Sequence, residues 1–213
     1  MRNGFFLAFE GGEGSGKSTQ AKKLYDRLVA EGHVALLTKE PGGDDGICKD
    51  IRACLLKPAY KGRFSAMAEL FLFEADRAQH VDFTINPAKK AGKIVISDRF
   101  DASTYAYQVG GRRICDDAAY NYINSQATLG LRPDLTIWID IDPEVGLKRN
   151  LGTPKRDRFE LEDLEFHQRV REGFGNYMDR FLLKRKWRKF DGQLPIAELH
   201  EAIYSAVKEA MSS

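Results

Sequence analysis

Residues 5–20 read Phe5-Phe6-Leu7-Ala8-Phe9-Glu10-Gly11-Gly12-Glu13-Gly14-Ser15-Gly16-Lys17-Ser18-Thr19-Gln20, and this stretch decides the fold. The apolar run Phe5 to Phe9 predicts a buried strand, the glycines a loop, and Lys17-Ser18-Thr19 the start of a helix. Each fixed position of Gly11-x-x-x-x-Gly16-Lys17-Ser18 has a physical reason. Glycines let successive backbone N–H groups converge on one anion, and the helix end adds its positive dipole. Lys17 reaches the β and γ phosphates of a nucleotide, and the Ser18 hydroxyl can ligate Mg²⁺ between them. A glycine-rich turn with a solvated lysine would not require strand, loop, Lys-Ser and helix to fall in register. The nine residues Gly11 to Thr19 (Gly11, Gly12, Glu13, Gly14, Ser15, Gly16, Lys17, Ser18 and Thr19) are therefore expected to cradle a nucleoside triphosphate.

The chain has 213 residues, enough for one α/β domain and short for two. Its formal net charge is +2 although 30% of the residues are charged, so no global basic field points to nucleic acid. Cys48, Cys54 and Cys115 contain no C-x-x-C pair and fit neither a disulfide framework nor a zinc site, which places the chain in the reducing cytosol. No apolar run approaches the roughly 20 residues that span a bilayer, and Phe5 to Phe9 runs straight into the loop without the design of a signal peptide. The expectation is a soluble, cytoplasmic, unprocessed protein with no membrane or nucleic-acid partner.

Working outward, Ala21, Leu24, Leu28 and Val29 recur at helical spacing up to Gly32. Val34 to Thr38 reads as a second strand, whose end carries Lys39-Glu40-Pro41-Gly42-Gly43. A helix over about 47–56 carries Arg52. Between Ser65 and Val81 a helix is apolar on more than one side and is interrupted by Glu74, Asp76 and Arg77, so two buried faces are expected, one of them charged. Ile94 to Ser97 and Leu135 to Ile141 predict further strands, and Trp187 to Phe190 a fifth. A long helix is expected from Glu160 to about Lys184 and a last one from Ile196 to Met211. Strands separated by helices imply right-handed crossovers and a parallel sheet with its ligand at the strands' carboxyl ends, where Glu10, Glu40, Asp98 and Asp140 fall. The expected architecture is a single three-layer α/β P-loop domain over residues 1–213. Its five-stranded parallel sheet is flanked by helices, and the polar, basic segment 150–158 forms a short lid.

Asp98 follows a strand directly, which suits the second Mg²⁺ ligand of a phosphate-loop protein beside Ser18; the competing role is a helix N-cap. Arg99 next to it points to an anionic centre gripped by a guanidinium. No persuasive general base is present. His33, His80, His167 and His200 are scattered, and His167 and His200 read as solvated groups on charged helix faces. A phosphate acceptor removes the difficulty, because a phosphomonoester with a second pKa of about 6 is already a dianionic nucleophile at neutral pH. Transfer then needs only positioning and positive charge, from Lys17, Arg99, Arg52 and the lid.

The combined set, the loop above with Glu40-Pro41-Gly42-Gly43, Asp98-Arg99-Phe100, Tyr107-Gln108, Pro133-Asp134-Leu135-Thr136 and Glu162-Asp163-Leu164-x-Phe166-His167, resembles bacterial thymidylate kinase over nearly the whole chain, to about Tyr177. The resemblance implies transfer of the γ-phosphoryl group of ATP to dTMP, with Mg²⁺, in a homodimer built through helices flanking the sheet. It places the thymine-stacking ring at Phe73, the base-binding arginine at Arg77, the arginines on the acceptor phosphate at Arg52 and Arg99, base-side polar contacts at Thr104 and Gln108, and the ring against the deoxyribose at Tyr107. Glu13 falls on the family's acidic loop residue near the sugar 3′-hydroxyl, and Glu40 lies among the acceptor contacts. Without the resemblance, Phe73 and Tyr107 would read as ordinary core. Arg77, a donor-only group, is expected to favour a base edge that presents acceptors.

Some members carry an arginine in the loop where this chain has Gly14, so the catalytic cation is expected from the lid. Thr153 stands where some relatives have a lid arginine; Arg156 ranks first and Lys155 second, while Arg158 is expected to be held by Asp157 and Glu160 at the start of the following helix. Lys39 and Asp44 also depart from the pattern, where arginine and threonine are usual. A nucleoside kinase, needing Glu10 or Glu40 as a base, and a nucleotide-binding switch without turnover are the competing readings.

Overall fold

The apolar run at the N-terminal side is β1, Phe5–Glu10, and it occupies the centre of a five-stranded sheet. The computed structural model describes residues 4–43, 45–151, 157–182 and 186–212. Strands β2 (Ala35–Lys39), β3 (Ile94–Asp98), β4 (Leu135–Asp140) and β5 (Trp187–Asp191) complete the order β2-β3-β1-β4-β5, every pairing parallel. Each strand end lies within one residue of its expected position. Parallel neighbours require crossovers, and here helices supply them.

Because side chains alternate across a strand, β1 serves both faces of the sheet. Leu7 and Phe9 pack with Leu24 and Leu28 of α1 (Lys17–Ala30) and with Leu199, Ile203 and Val207 of α9, the C-terminal helix Ile196–Ser212. Phe6 and Ala8 face the opposite layer, against Val81, Ile85 and Phe100. The sheet is thus buried on both sides, and its carboxyl edge is where polar side chains collect.

In chain order the remaining helices are α2 (Gly46–Leu56), α3 (Ala66–His80), α4 (Asn86–Lys90), α5 (Asp101–Thr104), α6 (Asp117–Thr128), α7 (Pro143–Asn150) and α8 (Leu164–Phe181). Asp45 caps α2 by accepting from the N–H groups of Ile47 at 2.9 Å and Cys48 at 3.3 Å. Helix α3 departs from its expected burial. Its charged residues Glu69, Glu74, Asp76, Arg77 and His80 all lie inside, while Met67 and Phe71 are 36% and 53% exposed. Buried charge persists there because each group meets an opposite charge or a hydrogen-bond partner, and the second apolar face is left at the surface.

Residues 101–128 carry no helical expectation, yet they form α5, a π-helical segment Tyr105–Gly111 and α6. Residues 101 to 108 are buried without a break, so no amphipathic period exists to be read. Helix α8 begins at Leu164 rather than Glu160. Asp157 takes the N–H groups of Phe159 and Glu160 in a turn, and Asp163 then caps the helix by accepting from Phe166 N at 2.7 Å. The helix ends at Phe181, short of Lys184.

Three further expectations change. His167 and His200 are buried, 4% and 7% exposed, because they sit on the inward faces of α8 and α9. Arg158 is not held by Asp157 and Glu160: it is 1% exposed, with Nη1 on Glu69 and Nε on the Leu55 carbonyl, and packs against the rings of Phe64 and Phe159. Residues 152–156, which include Thr153 and the lid cations Lys155 and Arg156, lie outside the described residues, as does Asp44.

Candidate active site

The loop between β1 and α1 opens on a cleft of about 690 Å³ lined by Glu13 to Gln20, Arg149 and the segment 192–196. Gly14 and Gly16 adopt φ of 67° and 88°, the left-handed region that a side chain resists. Helix α1 starts at Lys17, and the Lys17 ammonium donates to the Gly12 carbonyl at 3.0 Å. Burial and then the neighbouring Arg99 lower its pKa. Gly14 is tight as well as left-handed: a Cβ there would stand 2.0 Å from the Gly146 carbonyl oxygen of α7, and a Cβ on Gly146 would stand 2.1 Å from the Glu13 carbonyl oxygen. Loop and helix interlock at two glycines, so this backbone leaves no room for an arginine at position 14.

Across the loop, the Ser18 hydroxyl donates to Asp98 Oδ2 at 2.5 Å. Asp98 ends β3, and α5 begins only at Asp101 with Phe100 at its N-cap, so Asp98 caps no helix. Its Oδ1 is buried with no hydrogen-bond partner among the described residues. A hydroxyl and a carboxylate side by side, one oxygen orphaned, fit Mg²⁺, which takes one or two protein oxygens and completes its shell with water and phosphate. Among the described residues no group of three or more His, Cys, Asp or Glu could hold a metal without such help.

A second cavity adjoins the first and shares Glu13 with it. Its wall brings together Glu40, Arg52, Phe73, Arg77, Arg99, Thr104, Tyr107 and Gln108, from four separate stretches of chain. Arg99 donates from Nη2 to Glu13 Oε1 at 2.6 Å and from Nη1 to the Gly11 carbonyl at 3.1 Å and Ser103 Oγ at 3.0 Å. Its guanidinium also stands 5.1 Å from the centre of the Tyr107 ring. Burial opposes the charge of Arg99, but Tyr107, Glu13 and Asp98 raise its pKa. Burial would likewise raise Glu13, yet Arg99, Lys17 and the Tyr107 hydroxyl, which donates to Oε1 at 2.5 Å, hold it at about 2. Arg52 donates to the Pro41 carbonyl at 2.5 Å, and burial lowers its pKa.

Arg77 is 1% exposed and heavily engaged. Nε and Nη2 meet Glu40 Oε2 at 3.0 and 2.9 Å, Nη1 meets Glu74 at 3.0 Å, and Nη2 reaches the Phe100 carbonyl at 3.0 Å and Thr104 Oγ1 at 2.9 Å. Glu40 Oε1 is bonded to His80 Nδ1 at 2.9 Å, and His80 Nε2 to Thr38 Oγ1 at 2.7 Å. A chain of buried polar groups thus backs the cavity wall. Phe73 is half-buried, its ring centre 5.7 Å from that of Phe159.

Six lining residues are not among the site residues expected from the sequence: Pro41, Leu56, Phe100, Ser103, Asp157 and Phe159. Ser103 lies one helical turn beyond Arg99, a spacing that could have revealed it. Asp157 and Phe159 come from far along the chain and carry no comparable signal. Glu10 proves structural: it is fully buried, accepts from Phe100 N at 2.9 Å and Ser103 Oγ at 2.5 Å, and burial pushes its pKa up to about 7. Asp140 pairs with Arg171 at 2.7 Å and Lys189 at 2.9 Å and does not reach the cavity of Arg99.

Residues 9–203 match the family model described as thymidylate kinase. A thymidylate kinase of Sulfurihydrogenibium sp. is 43% identical over 210 residues, covering 97% of this chain and 98% of that protein. One of Dehalococcoides mccartyi is 46% identical over 211 residues, 97% of this chain and 95% of the relative, and one of Synechococcus sp. is 49% identical over 169 residues, 79% and 78%.

Proposed function

Since the chain belongs to the thymidylate kinase family and phosphorylates dTMP to dTDP with ATP, we propose that it does so by charge stabilisation between the two joined cavities, without a protein general base. The observation that carries this reading is the junction itself: Glu13 lines both cavities and is held by Arg99, with Lys17 and the Ser18–Asp98 pair on the loop side. ATP lies in the loop cleft, its phosphates on the backbone of residues 11–18 and on Lys17. Mg²⁺, held by Ser18 and Asp98, supplies neutralisation of the phosphate charge when bound.

Arg52 and Arg99 orient the dTMP phosphate, already a nucleophile, toward the loop. Arg99 then exchanges part of its contact with Glu13 for phosphate oxygens. Phe73 stacks on the base, Tyr107 lies against the sugar, and Arg77, Thr104 and Gln108 face the base edge, with Glu40 holding Arg77. Arg156, with Lys155 second, completes the charge when the lid over 150–158 closes on a single-domain enzyme. The enzyme works in the cytosol, where thiols such as Cys48, Cys54 and Cys115 stay reduced. No helix among the described residues is long and apolar enough to cross a membrane.

The homodimer forms through the exposed apolar stripe of α3, Met67 and Phe71, with α6, which packs on α3 and exposes Tyr122 to 68%, as the second helix. A coupled assay with ATP and each nucleoside monophosphate in turn, and with thymidine, tests the chemistry. Turnover with dTMP and none with thymidine is expected; turnover with thymidine would require the base that this reading omits.

A further inference from the structure

Gln108 is fully buried in the wall of the acceptor cavity, and its two amide atoms have different fates. Nε2 donates to Glu69 Oε1 at 2.9 Å, whereas Oε1 is buried with no hydrogen-bond partner among the described residues. Glu69, 2% exposed, lies outside that wall, one layer behind it. It receives Arg158 on Oε2 and Arg112 Nε on Oε1 at 3.3 Å, and Arg112 continues to Glu162 at 2.7 Å. Both oxygens of Glu69 are taken by guanidiniums, and a carboxylate only accepts. The amide of Gln108 therefore has one polarity open to it: its NH₂ must turn toward Glu69, and its carbonyl oxygen is the end left unpartnered among the described residues.

We propose that Glu69 is a positioning residue for base selection, holding the Gln108 amide so that an acceptor faces the base edge. This rests on the reading of the second cavity as the dTMP site. An acceptor at that point pairs with the N3–H of thymine or uracil and opposes the N3 lone pair of cytosine, so the orphaned Oε1 is satisfied by one class of base and left buried and unpaired by the other. Arg77 complements it from the donor side, toward carbonyl oxygens of the same edge.

The test measures kcat/KM for dTMP and for dCMP, together with KM for ATP, in the wild type, Glu69→Gln, Glu69→Asp, Gln108→Leu and the double variant Glu69→Gln/Gln108→Leu. A glutamine at 69 can donate as well as accept, so the Gln108 amide is free to turn over. Glu69→Gln is expected to lower the dTMP to dCMP ratio by about tenfold or more while KM for ATP holds. Glu69→Asp keeps the charge for Arg112 and Arg158 but withdraws the acceptor by one methylene, and shifts the ratio the same way should the first variant fold poorly. Gln108→Leu lowers the ratio too, and adding Glu69→Gln to it changes nothing more, because Glu69 acts through the amide. An unchanged ratio in the folded Glu69 variants, or a double variant whose loss is the product of the single losses, overturns the proposal. Failure of the wild type to use dTMP would instead overturn the reading of the cavity.

Discussion

Arg99 holds a left-handed backbone, φ 77°, which costs a non-glycine residue roughly 1–3 kcal/mol. That strain aims one guanidinium at the loop carbonyl of Gly11, at Glu13 and at Ser103 together. Arg99→Ala and Lys17→Ala should each lower turnover by about 10²- to 10³-fold with the fold intact by circular dichroism, since each removes positive charge where it builds up in transfer. Near-wild-type turnover in either variant would remove the assignment of the centre. Asp76 makes a different demand. It accepts from Gly42 N at 3.0 and 3.1 Å, but burial and Glu40 raise its pKa from 3.8 to about 7. The folded state therefore keeps a proton that the unfolded chain releases near pH 4. This contribution to stability is fully present below pH 4 and is lost as pH rises toward 7, at no more than about 1.4 kcal/mol per pH unit. Glu10, raised to about 7 from 4.5, acts in the same sense, and Glu13, lowered to about 2, in the opposite sense below pH 4.5. Thermal midpoints of the ligand-free protein from pH 4 to 7 should vary less in Asp76→Asn than in the wild type. Equal slopes would show that Asp76 ionises normally.

At the level of elements, the contact of the phosphate loop with α7 has almost no tolerance. A methyl group on Gly146 would stand 2.1 Å from the Glu13 carbonyl oxygen, a backbone atom with no side-chain freedom to yield, so either the loop or the helix must move. Gly146→Ala is expected to raise KM for ATP and to cost about 1–3 kcal/mol of stability. Gly175→Ala, on α8, is the matched control, because its Cβ would meet only the Trp138 ring at 3.7 Å. That change should leave KM for ATP alone and, if anything, stabilise the helix by up to about 1 kcal/mol. If the two variants behave alike, the interlock does not set the loop's position. The π-helical segment Tyr105–Gly111 is the other specialised element. Its wider turn delivers Tyr107 and Gln108 as successive residues to the acceptor cavity, while Gly173 lets α8 approach the backbone of Ala106.

For the whole molecule, the apolar stripe on α3 is a surface feature that the active site leaves unexplained. The opposite face of the same helix carries Phe73 and Arg77 into the cavity, so pairing of two copies there would brace the acceptor site from behind. Phe71→Glu should convert a dimer to a monomer in light scattering and weaken dTMP binding more than ATP binding. A monomeric wild type, or a Phe71→Glu dimer, would place the interface elsewhere.

The sequence by itself determined the parallel sheet and the phosphate loop, because these depend on local signals: buried strands of unmixed apolar residues and a glycine-rich turn running into Lys17-Ser18; the residues of the second cavity, Phe73 and Tyr107 among them, carry no local signal that separates them from ordinary core. Only the tertiary structure decided which charges are structural. Arg158 reads as a partner of its sequence neighbours Asp157 and Glu160, and Glu10 as a carboxylate at the ligand edge of the sheet; they turn out to be buried partners of Glu69 and Ser103, since a charge's role depends on which distant group meets it. It likewise decided that the second, apolar face of α3 lies at the surface while the charged face is buried as expected, and that His167 and His200 are buried, because helical periodicity marks a face without saying what covers it. The polarity of the Gln108 amide belongs to the same class: a glutamine carries both donor and acceptor in its sequence, and only the carboxylate packed behind it selects which one the substrate meets.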